Sequence, residues 1–208
     1  MAGDDLEYLG SLFAPDFPSD EIETTHRISS RKLVIQRRRE MISRTRREKA
    51  AEILDRLPVP GEHFHIISNG DFDYWNLVPI ICELAGKPIT EAYFSTWTMN
   101  RVCTLEFLDL LDEGRIERAS FVTGLYFKRR ESAVYATLLG GLMKRGFRIR
   151  SLRNHAKVIL LAAPPDYWVM EGSANFTSNP RIEQNIIAND RELWEHHQGW
   201  MEDVLGAE

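Results

Sequence analysis

Two polar side chains, His155 and Lys157, stand two residues apart at the head of the apolar run "HAKVILLAA". Gly-Ser-Ala-Asn begins at Gly172, and Glu183 follows in "PRIEQN". Side chains alternate across a strand, so His155, Lys157, Ile159 and Leu161 share one face, and Ala156, Val158, Leu160 and Ala162 the other. Two groups that are costly to bury therefore point the same way, which is explained if that end of the strand lines a site. Pro164-Pro165-Asp166 marks a turn. With the hairpin centred near Pro165, His155 faces Asn175 and Lys157 faces Ser173. An imidazole, an ammonium, a hydroxyl and an amide suit an anion with several acceptor oxygens. Lys157 supplies charge, Ser173 and Asn175 supply neutral hydrogen bonds, and His155 supplies a nucleophile or a proton. A phosphate fits this set best.

The elements that must position these groups follow from periodicity. After "PVPGE", strand and helix patterns alternate: "HFHIIS" (strand), "FDYWNLVPIICELAG" (helix), "TEAYFST" (strand), "RVCTLEFLDLLDEG" (helix), "IERASFVTG" (strand), "RESAVYATLLGGLMKRG" (helix) and "FRIRSL" (strand). Such alternation predicts a sheet covered by helices. The hairpin, the strand "NIIAND" and the amphipathic helix "RELWEHHQGWMEDVL" complete the chain. The loops "SNGDFDYW", "STWTMNR" and "TGLYFKRRES" follow successive strands, where a site mouth is commonly built. Trp75, Trp97 and Tyr126 read as core residues rather than stacking platforms.

The pieces "HAK", "GSAN" and the glutamate of "PRIEQN" together resemble the signature of the phospholipase D superfamily, HxKxxxxD followed by GSxN and a downstream acid. The strand and helix order extends the likeness over residues 61–208, while the motif itself occupies 155–185. This resemblance implies an α/β fold, a mixed β-sheet flanked by helices in an α/β/α sandwich. It implies that His155 is the nucleophile that forms a phosphohistidine, or its partner general acid. Lys157 and Asn175 would hold the phosphoryl oxygens, Ser173 would support them, and Glu183 would orient His155 through its other ring nitrogen. The scheme needs no metal and no other cofactor.

The chain departs from the family pattern twice. Ala162 stands where the motif has an aspartate. Position 162 is an odd number of residues from 155, so it belongs to the opposite strand face, and its change bears on packing more than on chemistry. The tyrosyl-DNA phosphodiesterase branch is similar in working with His, Lys and Asn without that acid. The second departure is number: only His155 is followed by lysine at the second position, whereas the family site uses two such units. A single copy implies a homodimer with the site across a twofold axis.

Charge narrows the partners. The net charge of -5 conceals segregation: residues 1–26 carry seven acids and no Lys or Arg, and residues 27–56 carry eleven Lys or Arg against four acids. We expect residues 1–26 to be a flexible acidic tail, 27–58 a basic helical arm that begins near Ser29 or Ser30 and stops at Pro58, and 59–208 the catalytic domain. Lys128, Arg129 and Arg130, with Arg37, Arg38 and Arg39 in the arm, are the candidates for meeting a nucleic-acid backbone. A solvated face or an oligomer contact explains the arm equally well. The absence of a long apolar run and of a hydrophobic leader predicts a cytoplasmic protein without a membrane partner. Cys82 and Cys103 read as reduced buried thiols. His63 with His65, and His196 with His197, read as surface or core residues rather than metal ligands.

The expected function is a metal-independent phosphodiesterase acting on nucleic acid, most simply a DNA endonuclease. Two alternatives stand beside it: a hydrolase of a small phosphodiester such as a cyclic nucleotide or phospholipid, and an inactive phospholipase D-like protein that binds DNA or another protein. A compact single-motif chain also fits the small proteins of mobile elements, phage included.

Overall fold

Continuous and alternating apolar runs of five to seven residues become β1 (His63–Ser68), β2 (Glu91–Thr96), β3 (Ala119–Gly124), β4 (Arg148–Leu152), β5 (Val158–Ala163), β6 (Asp166–Gly172) and β7 (Glu183–Asn189). In the computed structural model, which describes residues 41, 42, 44–178 and 180–207, these strands form one sheet in the order β1-β7-β6-β5-β2-β3-β4. The tail 1–26 and Arg37, Arg38 and Arg39 lie outside the described residues.

The chain divides into two units, 1–45 and 46–208. Of the first, residues 41, 42, 44 and 45 are helical. The second opens with α1 over residues 46–53 and continues with a 3-10 turn (Tyr74–Asn76) leading into α2 (Leu77–Leu84). There follow α3 (Arg101–Asp112), α4 (Leu125–Arg130), α5 (Ser132–Met143) and α6 (Arg191–Gly206). Strands β2, β3 and β4 are parallel because helical crossovers return the chain to the same edge each time. Strands β5, β6, β7 and β1 are antiparallel neighbours. The sheet is therefore mixed, as the family resemblance implies.

Both faces are covered. Ile159, Leu161, Met170, Phe94, Phe121 and Ile187 belong to one core, which includes Ile81 of α2, Phe107 of α3 and Leu138 of α5. Val158, Leu160, Ala162, Tyr93, Val122 and Val169 form a second core with Trp194 and Met201 of α6. The alternation along β5 is the expected one. Phe94 anchors the larger core, stacked on Phe121 at 4.7 Å and edge-on to Phe107 at 5.3 Å. Burial of each such side chain contributes about 1.5–3 kcal/mol. Helix starts are capped as their sequences suggest: Asn100 accepts from the Cys103 N–H at 2.9 Å, and Asp190 from the Leu193 N–H at 3.0 Å.

Three local readings change. The helix beginning the second unit ends at residue 53, short of Pro58. Beyond it, Arg56 grips both oxygens of Glu62 at 2.7 Å, and Glu62 also accepts from the Val59 N–H, so side-chain bonds organise the turn instead. The Arg56 pair, then that N–H, hold the Glu62 carboxyl down at about 2. Second, "LYFKRR" is helical, not loop: α4 is too short to show a period but is held by Phe127 in the core.

The third change is register. Ala163 pairs with Asp166, leaving Pro164-Pro165 as a two-residue turn, and Lys157 falls opposite Gly172 rather than Ser173. Asp166 is held by Lys87 at 3.3 Å and by Asn189 at 3.0 Å, so the turn closes one residue tighter than a centre on Pro165 requires.

Both cysteines are free and buried; burial pushes the Cys82 thiol up to about 12. Among the described residues no helix is long and apolar enough to cross a membrane.

Candidate active site

All the motif residues gather at one edge of the sheet. Antiparallel pairing of β5 with β2 sets Val158 opposite Ser95, so the start of β5 lies at the carboxyl ends of β2, β3 and β4. The end of β6 and the start of β7 lie at that same edge, because Gly172 pairs with Asn185. The segment 153–157 crosses this edge between β4 and β5, outside regular strand, and carries His155 and Lys157.

His155 is exposed, whereas Lys157 keeps only 7 % of its surface in contact with solvent. The Lys157 ammonium donates to the His155 carbonyl at 2.7 Å and lies 2.8 Å from Nδ1 of the His155 ring. Burial lowers the Lys157 pKa, and the negative charge of Glu183 opposes that shift. Desolvation favours the neutral amine, so as pH rises this lysine loses its charge earlier than a solvated one. A cation held in a partly dry place interacts more strongly with an anion than one in bulk water.

Glu183 receives the Ser173 hydroxyl, whose oxygen in turn accepts from the Gln184 N–H at 3.1 Å. Asn175 reaches across to β2, where its Oδ1 lies 3.4 Å from Thr96 Oγ1, a hydroxyl that donates to the Thr98 carbonyl at 2.9 Å. The Nδ2 end of the amide is the one that can donate to a ligand. Of the four groups expected from direct hairpin pairing, Lys157 contacts His155, Ser173 bonds Glu183, whose charge acts on Lys157, and Asn175 turns to the end of β2. The loop after Asn175 is fastened too, since Ser178 donates to Asp73 at 2.9 Å and the Asn100 N–H to the Phe176 carbonyl at 2.9 Å.

Residues outside the motif complete the site. Asn154 shares its Nδ2 among Ser95 Oγ (3.0 Å), the Val122 carbonyl (3.2 Å) and the Thr96 carbonyl (3.3 Å), while its Oδ1 accepts from the Ala156 N–H (3.1 Å). One amide thereby ties the ends of β2 and β3 to the segment that carries His155. Trp97, half-buried, lies 5.7 Å from the His155 ring and stacks on exposed Tyr126, so neither is the core residue its type suggests. Trp75 is fully buried. Nothing local in the sequence separates the three; position at the sheet edge does.

Gly172 has a specific steric role. A Cβ there would sit 2.6 Å from Asn185 Oδ1 and 3.3 Å from the Gln184 carbonyl. The Asn185 amide is wholly buried, and neither its oxygen nor its nitrogen has a hydrogen-bond partner among the described residues. Enclosed on all sides, this amide has no solvent to swing into when a methyl group is added. Gly172→Ala is expected to lower stability by about 1–3 kcal/mol through this overlap, read as a fall in melting temperature. An unchanged melting curve would show that β7 gives way freely.

Arg46, Arg56, Arg118, Arg145, Arg148 and Arg191 are among the basic residues that each hold a carboxylate. Lys128, Arg129, Arg130 and Arg153 are exposed and make no ion pair with a described residue, as is also true of Arg101, Lys144 and Arg181. The first three end α4, which leaves the carboxyl end of β3, and Arg153 follows β4. They stand on segments that leave the site edge of the sheet. His63 and His65 lie on the exposed side of edge strand β1, and His197 contacts Glu171 at 3.2 Å. Among the described residues no group of three His, Cys, Asp or Glu could hold a metal ion.

Comparison of the fold with solved structures identifies its class. Nuc from Salmonella typhimurium, a phospholipase D family member, superimposes with a TM-score of 0.50 at 16% identity, over 69% of this chain and 94% of its own. The chain has the phospholipase D superfamily fold. NucT from Helicobacter pylori matches with a TM-score of 0.51 at 12% identity, over 70% of this chain and 97% of its own. Polyphosphate kinase from Porphyromonas gingivalis matches at 0.55 and 15% identity, over 71% of this chain, which spans only 26% of that longer protein. No protein-family model and no curated protein matches the sequence. Ala162 is the position at which the motif resemblance places an aspartate. The alanine side chain is buried against α6, on the face turned away from Ile159 and Leu161.

Proposed function

We propose that this protein is a metal-independent phosphodiesterase that hydrolyses DNA phosphodiester bonds through a phosphohistidine on His155, at a site completed by a second copy of the chain. The observation that carries the reading is the His155–Lys157 pair at the sheet edge, an exposed imidazole beside a desolvated ammonium. Nuc, a phospholipase D family member, and NucT share the fold.

The chemistry follows from these groups. A phosphoryl oxygen takes over the Lys157 donors now directed at His155, and Asn175 Nδ2 donates to a second oxygen. A ring nitrogen of His155 attacks phosphorus, the bond to the leaving oxygen breaks, and the partner copy's corresponding imidazole gives that oxygen its proton. Water then attacks the phosphohistidine and passes its proton to the same imidazole, which restores both rings. Glu183 and Ser173 keep negative charge and a hydrogen bond beside Lys157, maintaining the ammonium that the pentavalent phosphorus needs. Nucleic acid is preferred over a small diester because Lys128, Arg129, Arg130 and Arg153 are left without carboxylates at the mouth, where a polymer's successive phosphates would engage them.

The test is cleavage of labelled single- and double-stranded DNA in excess EDTA, with His155→Ala purified alongside. Cleavage by the parent alone supports the reading. If neither protein cuts either strand, the nuclease reading fails, and turnover of a cyclic nucleotide or lipid headgroup diester becomes the activity to measure.

A further inference from the structure

We propose that Trp97 and Tyr126 form a stacking platform for an unpaired nucleobase beside His155, which makes single-stranded nucleic acid the substrate class. The inference rests on the nuclease reading and specifies what that site takes.

The pair is built for exposure. The rings of Trp97 and Tyr126 lie 4.3 Å apart at 25°, and Tyr126 keeps 40 % of its surface in solvent. The stacked pair Phe94 and Phe121 has similar geometry but is fully buried. Neither Trp97 nor Tyr126 belongs to either hydrophobic core. Leaving two large rings stacked at the surface forgoes the burial that such side chains normally contribute.

A backbone feature holds the pair in place. A Cβ at Gly124 would meet the Trp97 carbonyl at 2.5 Å and Trp97 Cδ1 at 2.6 Å. Only glycine at the end of β3 lets Trp97 lie flat against the start of α4, from which Tyr126 rises to cover it. The same arrangement brings the indole within 5.7 Å of the imidazole. Helix α4 then carries Lys128, Arg129 and Arg130 immediately beyond Tyr126. The aromatic pair thus adjoins the nucleophile through Trp97 and the cations of α4 through Tyr126.

Stacking of this kind selects strand state. In a duplex both faces of each base are covered by neighbouring pairs, so an aromatic side chain gains a contact only with a base that is unpaired or splayed out. Because every base has a π face, the preference is for single strands without a preference for sequence.

Fluorescence anisotropy in excess EDTA tests this, in a His155→Asn background that prevents cleavage. Three equally long labelled ligands are compared: an oligothymidylate, an abasic strand and a duplex. We expect the oligothymidylate to bind about 5- to 150-fold more tightly than the abasic strand. That ratio should collapse in Tyr126→Ala and persist in Tyr126→Phe, which keeps the ring. Trp97→Phe should reduce it less than Tyr126→Ala. Equal binding of base-bearing and abasic strands, alongside His155-dependent cleavage by the parent, would overturn the platform alone. Failure to bind any strand would overturn both readings.

Discussion

Replacing His155 with alanine is expected to lower DNA cleavage by about a thousandfold or more, since the variant has no nucleophile to share the reaction between two easier steps. Among the described residues no other histidine stands at this sheet edge beside a lysine: His63 and His65 lie on β1 and His196 and His197 on α6, and none of the other five histidines of the sequence, His26 included, is followed by lysine at the second position. The reaction nonetheless needs two imidazoles, one to attack and one to protonate the leaving oxygen. The chain supplies one. In the proposed reaction a second copy brings the other, and mixing experiments test this directly. When parent and His155→Ala are co-refolded in equal amounts, only about a quarter of randomly formed dimers carry two histidines. Activity should then fall to about a quarter of that of the same total protein as parent. Retention of about half would mean that each protomer acts alone and would remove the shared site.

Restoring the family aspartate is expected to harm this protein. Ala162 is 3 % exposed and packs with Leu160, Val169 and Trp194 beneath α6. Its strand neighbours are Tyr167 on β6 and Glu91 on β2. Glu91 already accepts from Tyr93 Oη and Arg118, each at 3.2–3.3 Å. A carboxylate at position 162 would be desolvated and would face that like charge, with no cation assigned to it. Ala162→Asp should cost roughly 2–5 kcal/mol, a fall in melting temperature of roughly 5–15 °C. It should bring no gain in turnover, because the side chain points away from the face shared by Ile159 and Leu161. A rise in activity with an unchanged melting curve would sink this account and make Ala162 a damaged catalytic position.

The alternation of residues along β5 was readable without coordinates, because a strand has a fixed period of two and its two cores select the same residues that the pattern selects. That period alone separates Ala162 from Lys157. The order of strands and helices was readable for the same reason, since each element from β1 to α6 apart from α4 and the 3-10 turn is long enough to show its period. Helix α4 was not: six residues give less than two turns, and Phe127 decides its state by burial in the core.

Residue types at 155, 157, 173, 175 and 183 also announced anion chemistry, since no apolar core explains a histidine, lysine, serine, asparagine and glutamate at strand ends. How those groups meet was decided elsewhere. The turn at Pro164-Pro165 closes one residue tighter than its composition indicates, held by Lys87 and Asn189 from distant segments, and this shifts every pairing in the hairpin. Glu183 consequently reaches Ser173 from β7, and Asn175 finds Thr96 on β2. Asn154, Trp97 and Tyr126 carry no motif at all. By itself the sequence determined the fold class, the candidate site residues and the face on which Ala162 lies, because these depend on local period and side-chain chemistry. Only the tertiary structure decided the register, the bonds that hold the site and the exposure of its aromatic rim, because these depend on which distant strand ends close on one another.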